Sequence, residues 1–240
     1  ARLEKELADG AVPQARARVD RFVFGPPVGF PVQFRVVGPD PMKVREIPVP
    51  VEPSAIARLR VEPGNGEYLV HADNTLAGPI EVLLGFARSS NVRGDPPLPA
   101  RATVPARGSA LVARLRAQDP GRTGNFELSL RGVPGDPSAR PQDVEYLLPL
   151  RQSRARIDQG FGGRFSHTDE QNRHALDFAA DIGTTVLAAR AGTVMQVESD
   201  FSKAGLKQER YGGRANFVRI LHDDGSMAIY AHLKADGALV

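Results

Sequence analysis

Short runs of apolar and polar residues, separated by turns that contain proline and glycine, fill the first 150 residues of this 240-residue chain. Runs of this kind, about ten residues apart, are typical of the strands of a β-sandwich. Residues 2–8 are the one plausible helix here, and we expect the proline-rich pieces 25–31 and 95–99 to be extended loops or edge strands. The pattern predicts strands over 21–24, 32–37, 55–61, 68–72, 80–86, 110–115, 126–130 and 144–148.

The second part of the chain also has the pattern of β-structure. The segment Asp223-Asp224-Gly225-Ser226 favours a tight hairpin turn between two apolar runs. The polar segment 199–214 is expected to be a long surface loop. Strands are predicted over 174–179, 185–189, 192–198, 216–222 and 227–233. We therefore predict an all-β fold throughout, with a sandwich-like region first and a second β-sheet domain after it.

A change of composition near residue 150 suggests a domain boundary. All 20 prolines lie at or before Pro149, and four of the five histidines follow it. We predict a β-rich N-terminal region over 1–150, with room for two modules of about 1–66 and 67–150. A polar linker over 151–157 then leads to a second domain over 158–240.

Charge and composition exclude several classes of protein. The net charge is +3, but 31 basic and 28 acidic residues are interspersed, which indicates a mixed solvated surface and no nucleic-acid partner. Cysteine is absent, so neither disulfides nor a thiolate zinc site can form. No run of 18 apolar residues exists, and we predict no transmembrane segment.

The most informative polar residues lie around Asp177. In the predicted strand, Leu176 and Phe178 face the core, which leaves Asp177 on the opposite face between two alanines. His174 shares the face of Leu176 and cannot easily reach a metal bound to Asp177. His167 can, because the loop that follows it is able to fold the histidine back towards the strand.

A second histidine with a polar environment is predicted in the C-terminal hairpin. Strand alternation places His232 on one face with Ala228 and Tyr230. A cluster of histidine and aspartate without cysteine suits Zn²⁺, which imidazole nitrogen and carboxylate oxygen bind at about 2.0–2.2 Å. On spacing alone, an exposed loop histidine at His167, an arginine-paired Asp177 and a merely packed His232 remain alternatives.

Several stretches resemble the LytM/lysostaphin-type zinc metalloendopeptidases, which hydrolyse bacterial peptidoglycan. The resemblance covers about 159–233, and the order of the motifs is the same. The matching text is Gln159-Gly-Phe-Gly-Gly-Arg-Phe-Ser-His167, Ala175-Leu-Asp-Phe-Ala179, the segment 183–194, the segment 220–225 and Tyr230-Ala-His-Leu233. The resemblance implies that His167 and Asp177 bind Zn²⁺ and that His232 lies beside the scissile bond and assists catalysis.

The chain departs from the family pattern at three places. Arg173 stands where the commonest form has its ligand histidine, and Thr185 replaces a usual proline. The family takes its third zinc ligand and a second catalytic histidine from a later His-x-His motif, which these 240 residues do not contain. We therefore expect an incomplete peptidase domain, from a fragment or a defective member. The edge of its hairpin over 226–240 would expose unpaired backbone groups unless another chain or segment covers them.

The resemblance implies a zinc-dependent endopeptidase that cleaves peptide bonds in the stem peptides or cross-bridges of peptidoglycan. Its expected location is periplasmic or extracellular, with the export signal outside this sequence. The alternative is a non-catalytic LytM-like protein that binds peptidoglycan or regulates a partner cell-wall hydrolase. A third interpretation is an immunoglobulin-like interaction module with a vestigial C-terminal region.

Overall fold

The computed structural model describes residues 17–18, 32–37, 56–151, 155–164, 167–168, 172–201 and 215–240. Within these ranges the chain forms 15 β-strands and no α-helix, which confirms the predicted all-β fold. The predicted helix over 2–8, the strand over 21–24, the loop 25–31 and most of the loop 199–214 lie outside the described residues. The strands, in chain order, are β1 (Ala17–Arg18), β2 (Val32–Val37), β3 (Ala57–Pro63), β4 (Tyr68–Asn74), β5 (Ile80–Ser90), β6 (Val92–Asp95), β7 (Ala100–Val104), β8 (Ser109–Ala117), β9 (Asn125–Pro134), β10 (Glu145–Tyr146), β11 (Arg156–Gln159), β12 (Leu176–Ala179), β13 (Thr193–Glu198), β14 (Phe217–Leu221) and β15 (Met227–Ala231).

Strands β3 to β9 form a two-sheet antiparallel sandwich, as the pattern predicted. One sheet has the order β3-β4-β8-β6 and the other the order β7-β5-β9. Alternate residues of the strands, such as Val70, Val82 and Leu84, are completely buried between the sheets. Strands β6 and β7 were not predicted, because the prolines between them interrupt any apolar alternation. The β3–β4 hairpin spans residue 66, and its turn is closed by a hydrogen bond from Gly64 N to Glu67 O. The division into modules of about 1–66 and 67–150 stays a prediction.

The described strands outside the sandwich belong to a second compact unit, which joins strands β1 and β2 to residues 140–240. Its main sheet has the order β11-β12-β2-β15-β14-β13, in which β2 pairs in parallel with both of its neighbours. One face of this sheet carries a core that includes Phe178, Val218 and Tyr230, against which Tyr146 and Leu150 pack. Apolar burial of these side chains supplies the main stabilisation of the unit.

The segment before residue 151 pairs with the predicted strand region 185–189. Leu147 N donates to Ala189 O, and Leu187 N donates to Pro149 O. These contacts give an isolated bridge between Leu150 and Val186 rather than a continuous strand. The predicted domain boundary at 150 and the linker over 151–157 stay predictions. Within the compact unit, residues 144–150 contribute apolar side chains to the core.

The hairpin formed by β14 and β15 is not at a sheet edge, because a further segment covers it, which is the exception that the prediction named. Strand β15 pairs with β14 on one side and with β2 on the other. All five residues of β15 are buried. The covering strand comes from the N-terminal region of the chain.

Candidate metal site

The sheet brings His167 and Asp177 together in a buried pair. Their closest atoms, His167 Nε2 and Asp177 Oδ1, are 3.2 Å apart. His167 is 1% exposed and Asp177 is 7% exposed. Asp177 lies in β12 on the face opposite Phe178, which packs into the core, so the predicted strand alternation is confirmed. His174 lies in the turn before β12, where its ring accepts a hydrogen bond from Arg173.

The backbone determines which nitrogen of His167 carries hydrogen. His167 Nδ1 is 2.7 Å from the carbonyl oxygen of Gly160, and a carbonyl can only accept, so Nδ1 donates. In the neutral ring the lone pair is then on Nε2, which faces a carboxylate oxygen. Two acceptors at this separation need a proton or a metal cation between them. A metal-binding histidine characteristically donates its other ring nitrogen to such a carbonyl.

A glycine-rich turn holds His167 in this position. His167 N donates to Gly163 O, and Gly162 N donates to Arg173 O at 2.7 Å. Gly162 has a φ of 64°, a left-handed conformation that glycine adopts without steric cost. The motif from Gly160 to Gly163 thus supplies both the backbone and the ring contacts of His167.

Gln159 is a further residue of this site, and the sequence analysis did not identify it. Its side-chain Nε2 donates to Asp177 Oδ2 at 3.1 Å. Gln159 ends β11, where it pairs directly with Asp177 in β12. Strand β11 was not predicted, because it falls partly in the segment predicted as a linker.

The residues present fit part of a zinc site. Imidazole nitrogen and carboxylate oxygen are ordinary zinc ligands, and two ligands of a tetrahedral ion lie about 3.4 Å apart, close to the observed 3.2 Å. In the part of the chain that the structure describes, no group of three histidine, aspartate or glutamate side chains is close enough to hold a metal ion. His167 and Asp177 are therefore two candidate ligands.

The sequence next to this pair matches a known family model. Residues 171–238 match the model of peptidase family M23. The predicted resemblance to the LytM/lysostaphin-type peptidases is thereby confirmed for this region. The matched span includes Asp177 and His232 and starts just after His167. No curated protein was found to match the chain. No solved structure was found to match it either.

The M23 match supports the coarser functional predictions. The family consists of metallopeptidases of the peptidoglycan-hydrolase type, which are generally zinc-dependent. Its members are typically secreted or cell-wall enzymes. Among the described residues no helix has the length and hydropathy needed to span a bilayer.

His232 of the M23 region follows the last residue of β15 in a left-handed conformation, with a φ of 63°. Across the sheet, Ala231 and Asp177 both pair with the backbone of Arg35, so their backbones are two strand spacings, about 10 Å, apart. The predicted polar face is wrong for Tyr230. Its hydroxyl accepts a hydrogen bond from Ala189 N in the core, and burial raises its pKa to about 12. The role of His232 stays a prediction.

The face of the main sheet that carries Asp177 also carries a buried arginine. Arg219 lies on this face because the residues on either side of it, Val218 and Ile220, belong to the opposite core. Burial lowers the pKa of its guanidinium to about 10. Its Nε donates to Gln196 at 3.3 Å, and its guanidinium lies 5.8 Å from the ring centroid of Phe217.

A second buried histidine of the M23 region has a different environment. His222 Nδ1 donates to Ala191 O at 2.8 Å, and its ring packs edge-to-face against Tyr146. Its Nε2 is buried and has no hydrogen-bond partner among the described residues. Burial lowers the pKa of His222, and the bond to Ala191 opposes this only in part. Its contacts are those of a histidine that anchors the hairpin.

Proposed function

We propose that this chain contains a zinc-dependent endopeptidase domain that cleaves peptide bonds in bacterial peptidoglycan. The observation that carries the proposal is the buried contact between His167 Nε2 and Asp177 Oδ1, in and next to the region that matches family M23. The tautomer set by Gly160 leaves Nε2 available to a metal. The substrates would be stem peptides or cross-bridges, and the location periplasmic or extracellular.

The residues take separate roles in this proposal. His167 and Asp177 hold the ion, and Gly160 fixes the ring of His167. A bound zinc ion supplies an acidified water and polarises the scissile carbonyl. His232 donates a hydrogen bond to the reacting oxygen or moves a proton. Its position is just after β15, two strand spacings from Asp177 in the same sheet.

The test is cleavage of purified peptidoglycan, followed by mass spectrometry of the released peptides and their new amino termini. We expect cleavage by the wild type, loss with a chelator, and recovery when zinc is added. His167→Ala and Asp177→Ala should abolish cleavage, whereas His71→Ala in the sandwich should retain it. His232→Ala should slow cleavage by about 10²- to 10⁴-fold without loss of zinc.

Two results would contradict the proposal. Cleavage that persists in chelator and in His167→Ala would exclude this pair as the metal site. Binding of peptidoglycan by a zinc-loaded wild type without any released peptide would instead support the alternative, a non-catalytic protein that binds the wall or regulates a partner hydrolase.

A further inference from the structure

The two oxygens of Asp177 have different partners. Oδ1 faces His167 Nε2 at 3.2 Å, and Oδ2 accepts a hydrogen bond from Gln159 Nε2 at 3.1 Å. A carboxylate can bind a metal through one oxygen or through both. An oxygen that already accepts a hydrogen bond is less available to a metal, so this arrangement directs binding to Oδ1.

The position of Gln159 depends on an irregularity in β11. The strand pairs regularly with β12 up to Ile157, and the register then shifts so that Gln159 lies opposite Asp177. A bulge of this kind changes the direction in which a side chain points. Here it brings the Gln159 amide to the carboxylate instead of continuing the regular ladder.

Gly163 provides the space that the Gln159 side chain occupies. A Cβ atom at this glycine would lie 2.1 Å from Gln159 Cγ and 2.6 Å from its Oε1. Neither distance is possible for non-bonded atoms, so any larger residue at 163 would displace the glutamine. The same glycine accepts a hydrogen bond from His167 N. Gly163 therefore links the positions of the histidine and of the glutamine.

We propose that Gln159 is a positioning residue that keeps Asp177 a one-oxygen ligand of the metal, and that Gly163 is small in order to admit it. This inference rests on the proposed zinc site. Single-oxygen binding suits a tetrahedral zinc ion, whereas two-oxygen binding raises the coordination number. The amide is neutral, so it orients the carboxylate without removing the negative charge that attracts the metal.

The direct test is Gln159→Met, which keeps the size of the side chain and removes the donor. Its matched control is Gln118→Met in the sandwich, where the amide also donates a single hydrogen bond, to Val92 O. Zinc affinity is measured by competition with a chromophoric chelator. We expect Gln159→Met to bind zinc about 10- to 100-fold more weakly and the control to equal the wild type.

Cobalt provides a readout that a loss of stability alone would not change. The wild type loaded with Co²⁺ should show the intense visible bands of tetrahedral cobalt. In Gln159→Met the released Oδ2 should join the ion, and the bands should weaken as the coordination number rises. The same spectrum at lower occupancy would mean that Gln159 contributes to stability only.

A double-mutant cycle tests the role of Gly163. Gly163→Ala should weaken zinc binding as Gln159→Ala does, because both remove the amide from Asp177. In the Gln159→Ala background, Gly163→Ala should have little further effect, since the clashing side chain is gone. Additive effects would overturn the link between the two residues.

The outcomes separate this inference from the proposed function. Zinc bound by the wild type and more weakly by Gln159→Met, with an altered cobalt spectrum, would support both. Equal affinities and equal spectra would overturn the role of Gln159 and leave the zinc site intact. A wild type that binds no zinc would overturn both.

Discussion

The sandwich and the second compact unit, called the C-terminal unit below because most of it is residues 140–240, use buried polar groups in different ways. Among the described residues of the sandwich, the buried polar side chains are Asn74 and Glu81. Asn74 makes hydrogen bonds with the backbone of several residues, and Glu81 accepts one from Thr103. The C-terminal unit buries a larger and more ionisable set, which comprises His167, Asn172, Asp177, Asn216, Arg219 and His222.

This difference indicates where the chemistry of the protein lies. Burial of an ionisable group costs free energy unless a partner compensates for it. The sandwich buries one ionisable side chain, Glu81, which accepts a hydrogen bond from Thr103, and its buried Asn74 amide holds turns together. The C-terminal unit buries several ionisable side chains, and such concentrations of buried titratable groups are typical of functional sites. Three substitutions test this comparison, from the largest expected effect to the smallest.

The largest effect is expected at Asp224, which belongs to the structural polar groups of the C-terminal unit. Its buried carboxylate accepts hydrogen bonds from Gln142 N, Ser226 and Arg190. Burial alone would raise the pKa of Asp224, but these bonds outweigh it and lower the pKa. Asp224→Ala should reduce the free energy of unfolding by about 3 kcal/mol, because it leaves the largely buried side chain of Arg190 without this partner.

Asp223 is the matched control in the same turn. It also pairs with Arg190, but its side chain is 85% exposed. Asp223→Ala should cost less than about 1 kcal/mol in a urea titration. Equal losses for the two variants would show that the buried network does not stabilise the hairpin.

Asn74→Ala tests the sandwich side of the comparison. Its amide donates to Gly78 O and Pro105 O, and its carbonyl accepts from Leu76 N. Removing these bonds should destabilise the protein by about 2 kcal/mol, measured by chemical unfolding. Zinc binding should stay unchanged. A large loss of zinc affinity in this variant would contradict the assignment of the site to the C-terminal unit alone.

The smallest effect is a pH dependence from His222. Its pKa is lowered in the folded state by burial, near the charges of Arg190, Asp223 and Asp224. The unfolded state therefore binds a proton first, near pH 6.5, and stability falls as the pH decreases below this value. Each pH unit changes the free energy of unfolding by at most about 1.4 kcal/mol. His222→Gln should flatten the pH dependence of the free energy of unfolding between pH 7 and pH 5. An unchanged slope would mean that other titratable groups cause this dependence.

Local pattern predicted much of this fold and some of the site. Strand β2 was predicted with its observed bounds, and the face of Asp177 followed from the apolar residues on either side of it. The pairing of β2 between β12 and β15 was not predictable, because it joins segments more than 130 residues apart. Tyr230 was misplaced because both faces of β15 are buried, so that alternation no longer separates core from surface.

The contacts around His167 also could not be predicted fully from the local sequence. The motif from Gln159 to His167 identified the histidine, but no spacing rule indicates that a glutamine side chain would reach Asp177 Oδ2. That contact depends on a register shift in β11 and on the space above Gly163. Both are properties of the folded sheet rather than of the local sequence.

The most direct test of the central claim is the amount of zinc per chain, measured by elemental analysis of the purified wild type and of two histidine variants. We predict about one zinc ion in the wild type, none in His167→Ala, and a full complement in His71→Ala. The folded state of each variant is checked by circular dichroism. A wild type without zinc, or a His167→Ala variant that retains it, would contradict the proposed metal site.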